Sequence, residues 1–162
     1  MKEFKISSKT KINIYEGKDG LLQVTLNSLN AKEVLYIYEM SYASLNDFLS
    51  EEKAENIRQK FLDKNIKIKE LTNIAFHNEY TKIKEFHERC MEIRYIPSDK
   101  LDITTEFLIY NNTVTFYTYK SEFYAVEIYD EKLAHMQKQI FDFLWNLADK
   151  PMIGGSGKTS IF

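Results

Sequence analysis

Glu106-Phe107-Leu108-Ile109-Tyr110-Asn111-Asn112-Thr113-Val114-Thr115-Phe116-Tyr117-Thr118-Tyr119 reads as two strands rich in aromatic and β-branched residues, joined by two asparagines. Both asparagines tolerate positive φ, so the segment predicts a tight type I′ hairpin with antiparallel strands. A further strand, Tyr124–Tyr129, leads into a helix predicted over Glu131–Asp149. Asp130 is its expected N-cap, Leu133, Met136, Ile140, Leu144 and Leu147 recur at helical spacing, and Pro151 limits continuation. Phe141, Trp145 and Ala148 widen the apolar arc. So broad an arc predicts one side on the sheet and part of the other against a further element or subunit, with Phe141 and Trp145 as candidate interface residues.

Upstream, Lys11–Glu16 alternates as a strand, Gly17 and Gly20 bracket a turn, and Leu21, Leu22, Val24 and Leu29 suit a helix. Glu33–Tyr38 returns as a buried strand, so strand, helix and strand predict a right-handed βαβ unit. A polar and aromatic connection, Met40–Ser50, precedes a helix over Glu51–Lys64, with Asn65 as its C-cap and Ile66–Leu71 as the next strand. Residues 72–90 carry one or two short helices, and Met91–Ile96 is a strand ended by Pro97. The expected organisation is one domain over residues 1–150, with a polar, peripheral start and a flexible tail over 151–162.

The length of 162 residues and 44% hydrophobic content suit a single core. No stretch is long and apolar enough to span a bilayer, and no secretory signal opens the chain, so a soluble cytoplasmic protein without membrane contact is expected. The lone Cys90 agrees with a reducing compartment. With a net charge of −2, the chain has no overall bias toward nucleic acid. Lys64, Lys67, Lys69, Lys82 and Lys84 are read as solvated lysines rather than a DNA-binding patch.

The hairpin, strand and closing helix, ending Phe141-Asp142-Phe143-Leu144-Trp145-Asn146-Leu147-Ala148, resemble the C-terminal part of the TrmB-like transcriptional regulators. The opening Ile12-Asn13-Ile14-Tyr15-Glu16-Gly17-Lys18-Asp19-Gly20 is similar to the first strand and acidic-glycine turn of that family. The resemblance covers roughly residues 10 to 150. It implies an α/β fold of phospholipase D-like architecture: a mixed β-sheet flanked by helices, with a C-terminal hairpin, strand and long closing helix.

The enzymes of this fold carry His-x-Lys, four residues and Asp, where the histidine attacks phosphorus and the lysine holds phosphoryl oxygens. With Asn111 aligned to the aspartate, the histidine position falls on Thr104 and the lysine position on Glu106. A threonine without a base is a poor nucleophile, and a glutamate repels phosphate, so the resemblance implies a lost catalytic motif. It also places Ser41, Tyr42 and Ser44 near the vestigial cleft. For Glu106 itself, burial statistics favour solvent over a partner within that cleft.

Other motifs carry less. Gly154-Gly155-Ser156-Gly157-Lys158-Thr159 imitates a P-loop, but Met152 replaces the first glycine and no strand–loop–helix context surrounds it. His77, His87 and Cys90 lack the convergent spacing of a zinc site, and Cys90 lacks an evident oxyanion hole. Arg94 is read as a rim residue, and the aromatic stripe of the hairpin as core packing rather than a base-stacking platform.

The resulting expectation is a non-catalytic regulatory or sensor module that forms a homodimer, takes no cofactor and responds to a small-molecule effector. The winged helix of the family is not found in this sequence, so DNA contact is expected only through a missing or separate winged-helix domain. A degenerate phosphodiesterase, a thiol enzyme using Cys90, and a purely structural dimerisation domain are the alternatives.

Overall fold

The computed structural model describes residues 1–5, 9–41, 44–77, 79–155 and 158–160. Strand β1 (Lys2–Lys5) is followed by β2 (Lys11–Glu16), α1 (Gly17–Ser28) and β3 (Val34–Glu39). Helices α2 (Ser44–Phe48) and α3 (Glu51–Asp63) precede β4 (Lys67–Thr72), the two-residue β5 (Phe76–His77), α4 (Lys84–Cys90) and β6 (Met91–Tyr95). The chain continues through β7 (Glu106–Tyr110), β8 (Thr113–Thr118), β9 (Tyr124–Tyr129) and α5 (Glu131–Leu147) to β10 (Met152–Gly155) and β11 (Lys158–Ser160).

Eight of these strands form a mixed sheet in the order β1-β2-β9-β8-β7-β3-β4-β6. The β3, β4 and β6 half is parallel, and the remaining pairs are antiparallel. One face carries a core of Leu21, Val24, Ile57, Phe61, Ile68 and Phe86 beneath α1, α3 and α4. The opposite face carries Tyr38, Leu71, Ile109, Val114, Phe141 and Trp145 beneath α5. This is the expected mixed sheet flanked by helices, with its hairpin, strand and closing helix.

The cap chemistry read from the sequence is in place. Asp130 accepts the Leu133 N–H at 2.9 Å and the Thr10 hydroxyl at 2.6 Å. Asn65 has φ of 52°, and the N–H groups of Asn65 and Ile66 donate to the Leu62 and Phe61 carbonyls, a Schellman ending for α3. Arg94 is no simple rim residue: it donates to the Trp145 carbonyl at 2.7 Å and lies over the Trp145 ring. A cation there complements the C-terminal end of α5. Beyond α5, Asp149 exchanges backbone hydrogen bonds with Tyr95 and so covers the outer edge of β6.

Several expectations are corrected. Of the two hairpin asparagines only Asn111 has positive φ, 48°, so the turn has the sign pattern of type II′ rather than I′. The β2–α1–β3 unit does not place its strands side by side, because β9, β8 and β7 lie between them. The peripheral start contains β1, which extends the sheet beyond β2. The described part of the tail is also paired: β10 runs antiparallel to β11 and parallel to β5, with the Met152 N–H donating to the Ala75 carbonyl at 2.8 Å. Backbone hydrogen bonding to an otherwise unpaired β5 accounts for that pairing.

Phe141 and Trp145 are not interface residues on a free face. Both are buried in the chain's own core, where Phe141 meets Tyr36 and Tyr38 edge-on at 5.1 Å each and stacks with Trp145 at 5.5 Å. The outward apolar residues of α5 are instead Met136, Ile140, Phe143 and Leu147.

One tight contact yields a stability prediction. A Cβ added at Gly20 would lie 2.9 Å from Tyr15 Cβ and 3.0 Å from the Tyr15 carbonyl carbon, neither of which is a flexible side-chain end. Gly20→Ala is expected to lower unfolding free energy by about 1–3 kcal/mol, checked by urea denaturation.

Candidate functional site

Strand alternation brings three glutamates to one face of the sheet. Glu70 on β4 is the register partner of Ile37, so Glu39, two residues farther along β3, lies diagonally across from it. Glu106 opens β7, beside the end of β3 that carries Glu39. Glu106 is wholly buried, while Glu39 and Glu70 each retain 7% of their exposure. The expected solvent exposure of Glu106 is therefore overturned.

The hydrogen bonds around Glu106 explain how burial is tolerated. Its Oε1 accepts the Met40 N–H at 2.9 Å and the Tyr119 hydroxyl at 2.9 Å. Its Oε2 has no hydrogen-bond partner among the described residues. Glu39 Oε1 accepts the Ser44 N–H at 3.1 Å. The Tyr119 hydroxyl also stands 2.9 Å from Ser41 Oγ, and Ser41 donates to Asp47 at 2.6 Å.

Burial away from water disfavours the charged form and pushes Glu39 up to about 7. Burial, followed by the neighbouring Glu39 charge, pushes Glu70 and Glu106 well above the usual carboxylate range. The Tyr119 phenol is raised by burial and by Glu106. A carboxyl cluster of this kind holds protons at neutral pH, because like charges in a dry site cannot all ionise.

In front of Glu39 and Glu70 is a cavity of about 70 Å³, walled by Leu35, Phe61, Ile68 and Leu108, with Ser44, Arg58, Tyr80 and Tyr117 contributing polar atoms. Arg58 is buried but committed elsewhere: its guanidinium reaches Glu55 at 2.6 Å and Asn46 at 2.7 Å and lies over the Tyr80 ring.

The cleft positions expected from the sequence divide. Ser41, Ser44 and Glu106 come together in this network. Thr104 does not join them: it is exposed, without a hydrogen bond among the described residues, and lines a groove of about 300 Å³ beside Tyr38, Phe107 and α5. Asn111 lies at the far end of β7, where its amide donates to the Asn30 carbonyl at 2.8 Å and its oxygen accepts the Lys32 N–H at 3.1 Å. Its role there is to fix the turn. Tyr42 lies outside the described residues.

Glu39, Glu70 and Arg58 were not singled out by the sequence reading, and Tyr117 and Tyr119 were read only as part of the aromatic stripe of the hairpin. The available signal was a single glutamate in each of the strands Val-Leu-Tyr-Ile-Tyr-Glu and Lys-Ile-Lys-Glu-Leu-Thr, the first of them otherwise apolar. Cys90 is buried, and that burial raises its thiol, so it is not primed as a thiolate nucleophile. Four of the noted lysines have partners: Lys64 donates to the Leu29 carbonyl, Lys67 to the Arg89 carbonyl, Lys69 lies over the Trp145 ring, and Lys82 pairs with Glu51.

Among solved structures, the chain is similar to TrmBL2, described as an archaeal chromatin protein with a novel mode of DNA binding. The TM-score is 0.59 at 18% identity, over 86% of this chain and 52% of that one. It is also similar to NucT from Helicobacter pylori, with a TM-score of 0.62 at 10% identity over 87% of this chain and 99% of NucT. Nuc from Salmonella typhimurium, a phospholipase D family member, gives 0.57 at 13% identity over 94% of this chain and 99% of Nuc. No family profile and no curated protein matches the sequence. The chain has the phospholipase D-like fold in the form shared with TrmBL2, and it spans about half the length of TrmBL2.

Proposed function

We propose that this chain is a non-catalytic regulatory module that forms a homodimer and responds to a small ligand. The observation that carries the reading is Glu106: a buried, hydrogen-bonded carboxyl occupies the position aligned with the phosphoryl-holding lysine of the enzymes. Such a group offers a phosphate no cation, and its ionised form would repel one. Thr104, at the position of the nucleophile, opens to the opposite side of the sheet with no base bonded to it among the described residues.

The test is hydrolysis of bis(p-nitrophenyl) phosphate and of single-stranded DNA by the purified chain. The expected result is no release above the rate in buffer. Turnover that disappears in Thr104→Ala would overturn the proposal in favour of a phosphodiesterase.

Dimerisation is assigned to the outward seam of α5. Met136, Ile140, Phe143 and Leu147 are between 41% and 66% exposed, and their spacing of four, three and four residues matches a coiled-coil seam. A second copy of the same helix presents the same seam, so the occupant with matching chemistry is a two-fold partner. Phe143→Glu is expected to weaken self-association by at least about 30-fold, measured by sedimentation equilibrium, as loss of a central apolar contact should. A monomeric wild-type chain, or a variant that associates as well as wild type, would contradict this assignment.

DNA contact, which TrmBL2 makes, is proposed here only through a winged-helix unit joined to this domain or bound by it. The proposed setting is the cytoplasm, where Cys90 stays reduced.

A further inference from the structure

Two inward glutamates on this face of the sheet have opposite surroundings. Glu127 accepts from Tyr15, Asn13, Asn27 and Tyr110 at 3.1–3.3 Å, which makes it a satisfied structural carboxylate. Glu70, 93% buried, has no hydrogen bond and no ion pair among the described residues, and it faces the cavity of about 70 Å³. A buried carboxyl of this kind without a donor is costly unless something else supplies one.

We propose that this cavity binds a small organic ammonium ion, with its charged nitrogen between Glu39 and Glu70 and its hydrocarbon body against Leu35, Phe61 and Ile68. The inference rests on the sensor reading above and names the ligand class of that module. An anion is disfavoured, because Arg58 is already paired with Glu55 and Asn46 while the carboxyl groups repel negative charge. A neutral alcohol brings a single O–H donor and no charge, whereas an ammonium brings three donors and a positive charge to both carboxyls. Since one water needs about 15 Å³ on the same measure, the space suits a ligand of roughly five non-hydrogen atoms.

Binding also has a proton balance. A cation favours the ionised carboxylates, so each carboxyl that ionises on binding passes its proton to the buffer. Affinity therefore rises with pH until the free site is itself ionised.

Titration calorimetry of the full chain with n-propylammonium chloride at pH 6 and pH 8 tests the inference, with buffers of different ionisation enthalpy reporting proton release. Expected are one-to-one binding, proton release, and an affinity about tenfold higher per pH unit where one full proton is released. Glu70→Gln, nearly isosteric and uncharged, should weaken binding by about tenfold or more through loss of a charged contact. Far-ultraviolet circular dichroism verifies that the variant is folded, and Glu39→Gln provides a second carboxyl deletion with the same expected loss.

Equal binding of n-propanol, unchanged affinity in both glutamine variants, or no binding at millimolar n-propylammonium would overturn the ligand assignment. Phosphodiester hydrolysis would instead overturn the non-catalytic module. A chain that neither hydrolyses phosphodiesters nor binds n-propylammonium refutes the ligand class alone.

Discussion

Glu39→Gln is expected to be more stable than the wild-type chain at pH 8 by about 3 kcal/mol and to remove one of the three carboxyl contributions to the loss of stability between pH 5 and pH 7. In the folded chain burial pushes Glu39 up to about 7 from its ordinary 4.5. Within that window the folded state keeps a proton that the unfolded state has released, so stability falls as pH rises. The contribution of the protonated form is fully present below 4.5 and is lost through the window at about 1.4 kcal/mol per pH unit. Glu70 and Glu106, also raised by burial, add to the fall from 4.5 upward and continue it to higher pH. Glutamine cannot ionise, and its carbonyl can still accept the Ser44 N–H. Urea unfolding of both proteins at pH 5, 6, 7 and 8 checks this. Wild-type stability that is flat or increases from pH 5 to pH 8 would contradict a protonated cluster.

Phe141→Ala is expected to cost about 3–5 kcal/mol, the usual penalty for emptying a buried phenylalanine site. Phe141 is completely buried, and its ring touches Tyr36, Tyr38 and Trp145 on a sheet face that α5 alone covers among the helices. Its neighbour Phe143 is 66% exposed. Phe143→Ala should change the chain's own folding stability by less than about 0.5 kcal/mol, with its cost falling on self-association. Denaturant unfolding at protein concentrations below the dimer dissociation constant separates the two effects. Equal costs at positions 141 and 143 would contradict the assignment of the two helix faces.

The same pair shows where the sequence was legible. The length and cap of α5 followed from Asp130, a helical repeat of apolar residues and Pro151. Its orientation did not, because two apolar stripes share the helix. Phe141 and Trp145 keep one helical spacing, Met136, Ile140, Phe143 and Leu147 another, and only the aromatic partners Tyr36 and Tyr38 on β3 decide which stripe goes inward. The hairpin was readable from Asn111-Asn112, but the sign of φ at the second asparagine was not, since asparagine tolerates either sign.

The candidate site was legible only in part. The resemblance placed Ser41, Ser44 and Glu106 near one another: hydrogen bonds through Tyr119 join Ser41 to Glu106, and the Ser44 N–H donates to Glu39, which lies beside Glu106 across the β3–β7 pair. Glu106 was expected in solvent because burial statistics for charged side chains favour it over a partner in the cleft. Its hydrogen-bond partners are Met40, just past β3, and Tyr119, just past β8, and their proximity is a product of the sheet order. Glu70 was overlooked for the same reason: alternate lysines make β4 look half exposed, whereas Ile68 and Glu70 both point inward.

A titration of the glutamate side-chain carboxyl carbons by nuclear magnetic resonance, assigned with the single variants Glu39→Gln, Glu70→Gln and Glu106→Gln, tests the central claim most directly. The account predicts that Glu70 and Glu106 remain protonated at neutral pH and that Glu39 titrates near 7. Three carboxyls that all titrate near the ordinary value of 4.5 would contradict it, because the position of the phosphoryl-holding lysine would then carry an ordinary solvated carboxylate rather than a buried proton-holding cluster.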